Sequence, residues 1–158
     1  MPLEIERKYL VNSAEFKLQA KKKLTIVQGF ISLDKNAIVR VRTQNNLAFL
    51  TIKGISNKSG TTRYEWEKKI NLHEAKELLL LSKTKPISKT RFIIDFKNHI
   101  FEVDEFYDSN AGLIIAEVEL KNADEYFEKP DWLGKEVTGD LKYYNVMLAQ
   151  HPYKTWNK

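Results

Sequence analysis

The chain has 158 residues, 42% of them hydrophobic and 30% charged, which fits one globular domain with a sizeable core. The absence of cysteine excludes disulfides, thiol catalysis and cysteine-ligated zinc or iron–sulfur sites. No apolar stretch approaches the ~20 residues of a membrane span, so we expect a soluble, cytoplasmic protein. The 26 Lys and Arg against 21 Asp and Glu give a net charge of +5, which suits nucleic acid, an anionic surface or a small polyanion.

Eight segments alternate between polar and apolar residues in the manner of β-strands. They cover residues 3–11, 24–33, 37–43, 47–53, 62–70, 89–96, 99–106 and 113–121. Connectors rich in turn residues, such as Gln44-Asn45-Asn46 and Lys97-Asn98, predict antiparallel hairpins between them.

Four helices are expected around these strands. Asn12, Asn71 and Asn122 each stand three residues before a glutamate, which is the spacing of a capping box. A fourth helix is expected to begin at Asp140. The run Lys21-Lys22-Lys23 is interpreted as the end of the first helix, where cations complement the helix dipole.

The charged faces of the strands carry an unusual pattern, because same-face positions hold doublets of like sign. The doublets are Glu4/Glu6, Arg40/Arg42, Glu65/Glu67, Lys89/Arg91, Glu102/Asp104 and Glu117/Glu119. A solvated sheet face explains one such strand, but like charges repel at neighbouring positions unless something between the strands neutralises them. The set therefore predicts an α+β fold, predominantly antiparallel β: a closed eight-stranded barrel with a charged lumen and about four peripheral helices.

Such a lumen suits a polyphosphate bound together with a metal ion. The carboxylates are hard oxygen ligands that favour Mg²⁺ or Mn²⁺, and the basic residues are phosphate donors. Hydrolysis and other phosphoryl or nucleotidyl transfers both fit this chemistry. Most cations alternate beside carboxylates, unlike the carboxylate-poor stripe of a nucleic-acid binder, so nucleic acid is not expected as the main partner.

Glu4-Ile-Glu6-Arg-Lys8 resembles the ExExK signature of the CYTH superfamily, the triphosphate tunnel metalloenzymes. Further segments that resemble this family lie at 39–42, 51–53, 63–67, 89–91, 102–104, 117–119 and 132–140. The resemblance covers nearly the whole chain and implies a single domain over residues 1–158, of the short bacterial type. It implies that basic residues bind a triphosphate in an eight-stranded tunnel while carboxylates bind a divalent metal.

Within this scheme each charged position has an expected role. The phosphate ligands are expected to be Lys8, Arg40, Arg42, Lys53, Arg63, Lys89 and Arg91. The metal ligands are expected among Glu4, Glu6, Glu65, Glu67, Glu102, Asp104, Glu117 and Glu119, with Glu4, Glu6 and Glu119 first. Catalytic roles are assigned to Lys8, Glu6 and Glu67, and Arg63 is assigned either to the lumen or to its rim.

The resemblance favours hydrolysis of inorganic tripolyphosphate. Three alternatives stay open: a class IV-type adenylate cyclase, a thiamine or nucleoside triphosphatase, and a non-catalytic polyphosphate-binding module. The apolar exterior and the resemblance also leave a homodimer open. The aromatic residues near the C-terminus, Trp132, Tyr143, Tyr144, Tyr153 and Trp156, are expected to pack that segment, and His73, His99 and His151 are expected at the surface.

Overall fold

A computed structural model describes residues 2–156 as a closed, antiparallel sheet. Its strands are β1 (Leu3–Val11), β2 (Lys22–Ser32), β3 (Ile38–Gln44), β4 (Leu47–Lys53), β5 (Thr62–Ile70), β6 (Ile87–Phe96), β7 (His99–Phe106), β8 (Ile114–Glu119) and β9 (Leu133–Glu136). The order is β5-β4-β3-β2-β6-β7-β8-β1-β9, and β1 also pairs with β5. That last pairing closes eight strands into the predicted barrel.

The ninth strand was not predicted from the sequence. β9 is only four residues long and pairs with β1 through Tyr9 and Val11, just past the point where β5 leaves that edge at Ile5. It therefore extends the seam of the barrel beyond the three residue pairs that join β1 to β5.

Within residues 2–156, three α-helices flank the strands: α1 (Phe16–Gln19), α2 (Leu72–Leu79) and α3 (Asn145–Gln150). Single 3-10 turns lie at Asp108–Asn110, Leu141–Tyr143 and Tyr153–Thr155. The predicted capping box of α2 is confirmed, since the Asn71 side chain accepts from the backbone N–H of Glu74 and the Glu74 side chain accepts from that of Asn71. No helix within residues 2–156 is long and apolar enough to cross a membrane.

The predicted helix after Asn122 is wrong, and its capping glutamate has other partners. Glu125 accepts from the backbone N–H of Lys121 at 2.6 Å and contacts His99 Nε2 at 2.6 Å. Phe127 is buried against Tyr9 and Phe101, so the segment lies extended over the outside of the barrel. His99 is accordingly half-buried rather than at the surface, contrary to the prediction.

Two other helix predictions need correction. Asn12 does not cap α1: its amide donates to Leu133 O, and α1 is a single turn. Because Ala20 is already extended, Lys22 and Lys23 begin β2 and do not end a helix. Asp140 caps only the 3-10 turn, through Lys142 N, so the predicted fourth helix begins later, as α3.

Apolar residues pack on the outside of the barrel and, at one end, also within it. The outer face of β1 and β6–β8 carries the largest cluster, which includes Tyr9, Phe101 and Trp132 and packs against α1. A second cluster lies under α2. A third fills one end of the lumen with residues on the inward-facing positions of the strands, among them Phe30 and Ile115, and α3 packs onto it.

Gly60 joins the β4–β5 connection to the turn that follows β9. Its φ is +79°, and a Cβ there would clash with Gly139 Cα. We expect Gly60→Ala to lower the free energy of unfolding by about 1–3 kcal/mol, because both backbone strain and the clash oppose it. Chemical denaturation measures the change. Gly54→Ala is the matched control, since its Cβ would make an ordinary 3.5 Å contact with Tyr64; equal losses in the two variants would contradict the assigned role of Gly60.

Candidate active site

A cavity of about 210 Å³ occupies the barrel lumen. Its wall contains every predicted cation and every predicted carboxylate except Asp104. The charged lining residues are Glu4, Glu6, Lys8, Arg40, Arg42, Lys53, Arg63, Glu65, Glu67, Lys89, Arg91, Glu102, Glu117 and Glu119. Arg63, which the sequence left between lumen and rim, is part of this wall with 18% of its side chain exposed.

Strand register brings these charges together because directly opposed residues share a face. Lys53 lies opposite Glu65, and Lys8 lies opposite Glu117. Arg91 lies opposite Asp104 in the β6–β7 hairpin. Side chains two residues apart on a strand point to the same side, so both members of each like-signed doublet face the lumen.

The lumen has one closed end and one mouth. Side-chain exposure is 33% at Glu67 and 37% at Glu102, whereas Lys89 is 1% exposed. Glu119 is also exposed. Glu67, Glu102 and Glu119 therefore lie at the mouth, and Lys89 lies at the closed end.

Glu4, Glu6 and Glu117 form a compact carboxylate cluster. One oxygen from each lies within 4.8 Å of the other two, a spacing that suits a metal ion. Burial raises the pKa of Glu6 well above its usual range, and the charges of Glu117 and Glu4 raise it further. Burial acts to raise the pKa of Glu117, but Lys8, a hydrogen bond with Glu6, and the charges of Arg91 and Lys89 together outweigh it and hold that pKa well below its usual range. The cluster therefore keeps a proton at pH values where an isolated glutamate has lost it.

Lys8 lies beside this cluster and stays protonated. Its Nζ is 3.2 Å from Glu117 Oε1 and 3.9 Å from Glu6 Oε1. Burial lowers the pKa of Lys8, but Glu117 and Glu6 raise it more, so it ends above its usual range. A phosphate oxygen near the cluster would thus meet a permanently charged donor.

A divalent cation should bind this cluster more tightly as pH rises. Metal binding requires ionised carboxylates, and the raised pKa of Glu6 means that the bound proton must leave first. We expect Mn²⁺ affinity to increase between roughly pH 5 and pH 8, with proton release on binding, both measurable by isothermal titration calorimetry in buffers of different ionisation enthalpy. Glu105→Gln, on the opposite face of β7, is the control and should leave the profile unchanged. A flat profile in the unmodified protein would contradict this account.

The same raised pKa affects the metal-free protein. A glutamate whose pKa is higher in the folded state stabilises that state at low pH, and this contribution is lost as pH rises through the folded-state pKa. The metal-free protein should therefore lose stability above pH 4.5, and metal should restore it.

Arg40, Arg42 and Arg91 concentrate positive charge on the opposite wall. Burial lowers the pKa of Arg40 and Arg42, and neighbouring guanidinium groups lower it further. Within residues 2–156 the Nε atoms of both are buried without a hydrogen-bond partner. Glu67 Oε2 is their shared carboxylate contact, at 3.6 Å from Arg40 and 3.4 Å from Arg42. Buried, mutually repelling donors of this kind suit a multiply charged anion.

Asp104 holds two of the cations from behind the cavity wall. It accepts from Arg91 Nε at 2.8 Å and Nη2 at 3.0 Å, and Lys89 Nζ lies 2.8 Å from Oδ2. Burial raises the pKa of Asp104, but Arg91 and Lys89 outweigh it and bring it to about 2. Burial lowers the pKa of Lys89 to about 7, against the opposing effect of Asp104. The structure thus places Asp104 as a partner of these two cations.

Lys53 and Arg63 surround Glu4 on the remaining wall. Lys53 Nζ lies 3.0 Å from Glu4 Oε2 and 3.8 Å from Glu65 Oε1, and Arg63 Nε lies 3.7 Å from Glu4 Oε2. Burial acts to raise the pKa of Glu4, but Lys53, a hydrogen bond with Glu6, and Arg63 together outweigh it and leave that pKa below its usual range. Cations therefore approach the carboxylate cluster from two sides.

Gln28, Tyr144 and Asn145 also belong to the site, although sequence reasoning did not identify them. Gln28 is fully buried opposite Arg42 in the β2–β3 register, while Tyr144 and Asn145 line the cavity from the C-terminal segment. Because Gln28 lies opposite Arg42, its side chain could have been predicted to face the lumen once the register of β2 and β3 was known. Tyr144 was predicted only to pack the C-terminal segment, but it lines the cavity. Tyr143 and Trp156 pack edge to face in that segment, as expected.

The fold and the site together define a tunnel protein whose lumen presents buried phosphate donors beside a carboxylate cluster. A family model described as CYTH domain matches residues 2–153. The chain therefore belongs to the CYTH domain family.

Known proteins with similar sequences and structures agree with this assignment. The chain is 44% identical to an inorganic triphosphatase of Acetivibrio thermocellus over 159 aligned residues, covering 100% of both chains. It is 32% identical to an inorganic triphosphatase of Nitrosomonas europaea over 150 residues, covering 92% of this chain and 96% of the other. The crystal structure of the inorganic triphosphatase NE1496 superposes with a TM-score of 0.65 at 29% identity, covering 92% and 97% of the two chains.

Proposed function

We propose that the protein is a divalent-metal-dependent hydrolase of triphosphate substrates and that inorganic tripolyphosphate is its principal substrate. The observation that carries the proposal is that one closed lumen holds both a three-glutamate cluster and buried Nε–H donors of Arg40 and Arg42, which have no hydrogen-bond partner within residues 2–156. A receptor for anions alone gains nothing from buried carboxylates, whereas a metal–phosphate complex uses both groups. The names of the two triphosphatase relatives support the same reaction.

The basic wall binds and orients the phosphates. Arg40, Arg42 and Arg91 provide donors in a buried setting where each charge-assisted hydrogen bond is strong. Asp104 and Glu67 restrain these guanidinium groups before substrate arrives, so less freedom is lost on binding. The remaining cations, Lys53, Arg63 and Lys89, extend the donor set along the lumen.

The carboxylate wall suits a hard cation. Glu4, Glu6 and Glu117 would hold Mg²⁺ or Mn²⁺, and when bound such an ion neutralises phosphate charge and lowers the pKa of water. Lys8 contacts the phosphate nearest the cluster or orients the attacking water, since its ammonium lies between Glu117 and Glu6. The other carboxylates towards the mouth, Glu65, Glu67, Glu102 and Glu119, serve as further ligands or position water.

Product identification tests the reaction. Incubation with Mg²⁺ or Mn²⁺ and tripolyphosphate should release orthophosphate and pyrophosphate in equal amounts, and EDTA should stop the release. A parallel incubation with ATP distinguishes a cyclase. Cyclic AMP as the main product, or tight tripolyphosphate binding without metal-stimulated release, would overturn the proposal.

The possible homodimer remains a prediction that solution measurements must test. Sedimentation velocity at several protein concentrations gives the mass of the species in solution. A mass of one chain throughout would contradict it.

A further inference from the structure

The closed end of the lumen is formed by the C-terminal segment. Val146 and Leu148 pack with inward-facing strand residues such as Phe30, Ile38 and Ile115. The strands therefore contribute apolar groups at this end. Polar groups of the C-terminal segment reach the cavity there through Tyr144 and Asn145.

Asn145 is held in one orientation by two donors. Its Oδ1 accepts from Gln28 Nε2 at 2.6 Å and from Lys89 Nζ at 2.8 Å. The charged form of Lys89 can only donate, so the Asn145 atom that faces it is the carboxamide oxygen. The Asn145 amide N–H groups consequently point away from Lys89, and they make no hydrogen bond to any group within residues 2–156.

Tyr144, the preceding residue, lines the same cavity. Its ring lies 5.4 Å from both Lys8 Nζ and Arg63 Cζ, so two cations fix its position. A Cβ on Gly60 would come within 3.0 Å of the Tyr144 hydroxyl, which shows how closely the β4–β5 connection packs there. That hydroxyl also makes no hydrogen bond within the described part of the chain.

We propose that Asn145, with Tyr144 beside it, forms a subsite for the unsubstituted terminal phosphoryl group of the substrate. This inference rests on the proposed function. The substrate enters through the mouth near Glu67 and Glu102 with its free phosphate end first, and that end accepts hydrogen bonds from the Asn145 amide and the Lys89 ammonium. Any organic group on the other end stays at the mouth, so Asn145 contributes specificity for phosphate chains with at least one free end.

Two substitutions separate substrate binding from a structural role. Asn145→Asp keeps an oxygen for Gln28 and Lys89 but removes the N–H donor and adds a negative charge. We expect it to raise the KM for tripolyphosphate at least roughly 30-fold, and Asn145→Ala to raise it roughly 10-fold, because each loses a donor to a charged phosphate. A purely structural role predicts the opposite order, with the alanine variant impaired and the aspartate variant near normal.

Two controls test whether misfolding, or repulsion between any added negative charge and the phosphate, explains the change in KM. Mn²⁺ binding without phosphate should match the unmodified protein in both variants, since the carboxylate cluster is untouched. Thermal unfolding should match it in Asn145→Asp, which keeps an acceptor for Gln28 and Lys89. Gln150→Glu adds the same charge at an exposed position of α3 and should leave KM unchanged. A KM within twofold of the unmodified value for Asn145→Asp would overturn the proposal.

Competition binding adds an independent test. With Mn²⁺ present, the unmodified protein should bind ATP, which has one free phosphate end, and bind P1,P3-diadenosine triphosphate, which has none, at least about tenfold more weakly. Equal affinity would overturn the subsite. This experiment measures binding, so it tests the subsite even if the protein does not hydrolyse tripolyphosphate. Absence of hydrolysis would contradict the proposed function alone.

Discussion

Glu6→Gln should abolish metal-stimulated phosphate release from tripolyphosphate, with a loss of more than about 100-fold in kcat. Glu6 belongs to the three-carboxylate cluster, and a neutral amide is a weaker ligand for a hard cation. The metal-free variant should also be at least as stable as the unmodified protein above neutral pH. The reason is that the substitution removes a buried charge that Glu117 and Glu4 disfavour.

Phosphate release with Mg²⁺ or Mn²⁺ and thermal unfolding without metal measure these two effects. Glu105→Gln is the matched control, because Glu105 lies on β7 but faces outward and pairs with Lys17 at 3.1 Å. It should leave kcat unchanged. Full activity in Glu6→Gln would refute the metal assignment.

Arg42→Met should reduce kcat/KM for tripolyphosphate by roughly 100-fold or more while raising the stability of the substrate-free protein by about 1 kcal/mol. Arg42 is buried beside Arg40 and Arg91, its pKa is lowered by burial and by their charges, and its Nε has no partner within residues 2–156. Burying the Arg42 charge beside two other guanidinium groups destabilises the substrate-free protein, and a bound polyanion offsets this destabilisation. A methionine fills similar space against Phe49, over which the guanidinium now lies at 5.8 Å.

Arg7→Met is the matched control and should show the opposite pattern. Arg7 lies outside the lumen and donates to Glu136 at 2.6 Å and 2.8 Å, so its loss should lower stability and leave kcat/KM unchanged. Thermal unfolding and steady-state kinetics give both quantities for each variant. Loss of stability in Arg42→Met with unaltered kcat/KM would show that Arg42 supports the fold rather than the substrate.

The barrel and most of its lumen could be predicted because strand geometry has a period of two. Once Arg40 and Arg42 are assigned to one face, alternation fixes the side of every residue on that strand, and the hairpins bring Lys53 opposite Glu65. Like-signed doublets then distinguish an enclosed face from a solvated one. This reasoning needs only local sequence, which is why the cavity wall matched it closely.

Features that depend on contacts between distant parts of the chain could not be predicted from the sequence in this way. Asn122 and Glu125 have the spacing of a capping box, yet His99 and the backbone of Lys121 engage Glu125 and no helix forms. Asn145 enters the lumen only because α3 packs across the end of the barrel. Neither its spacing nor its residue type marks it in the sequence, and the same is true of Tyr144.

The central claim is that the lumen binds a divalent metal and a triphosphate together. Crystals grown with Mn²⁺ and imidotriphosphate, a hydrolysis-resistant analogue, give a direct measurement through the anomalous scattering of manganese. The account predicts an anomalous peak within about 2.3 Å of carboxylate oxygens of Glu4, Glu6 or Glu117, with phosphate density between that peak and the guanidinium groups of Arg40 and Arg42. Manganese bound only outside the lumen, or analogue density absent from it, would contradict the account.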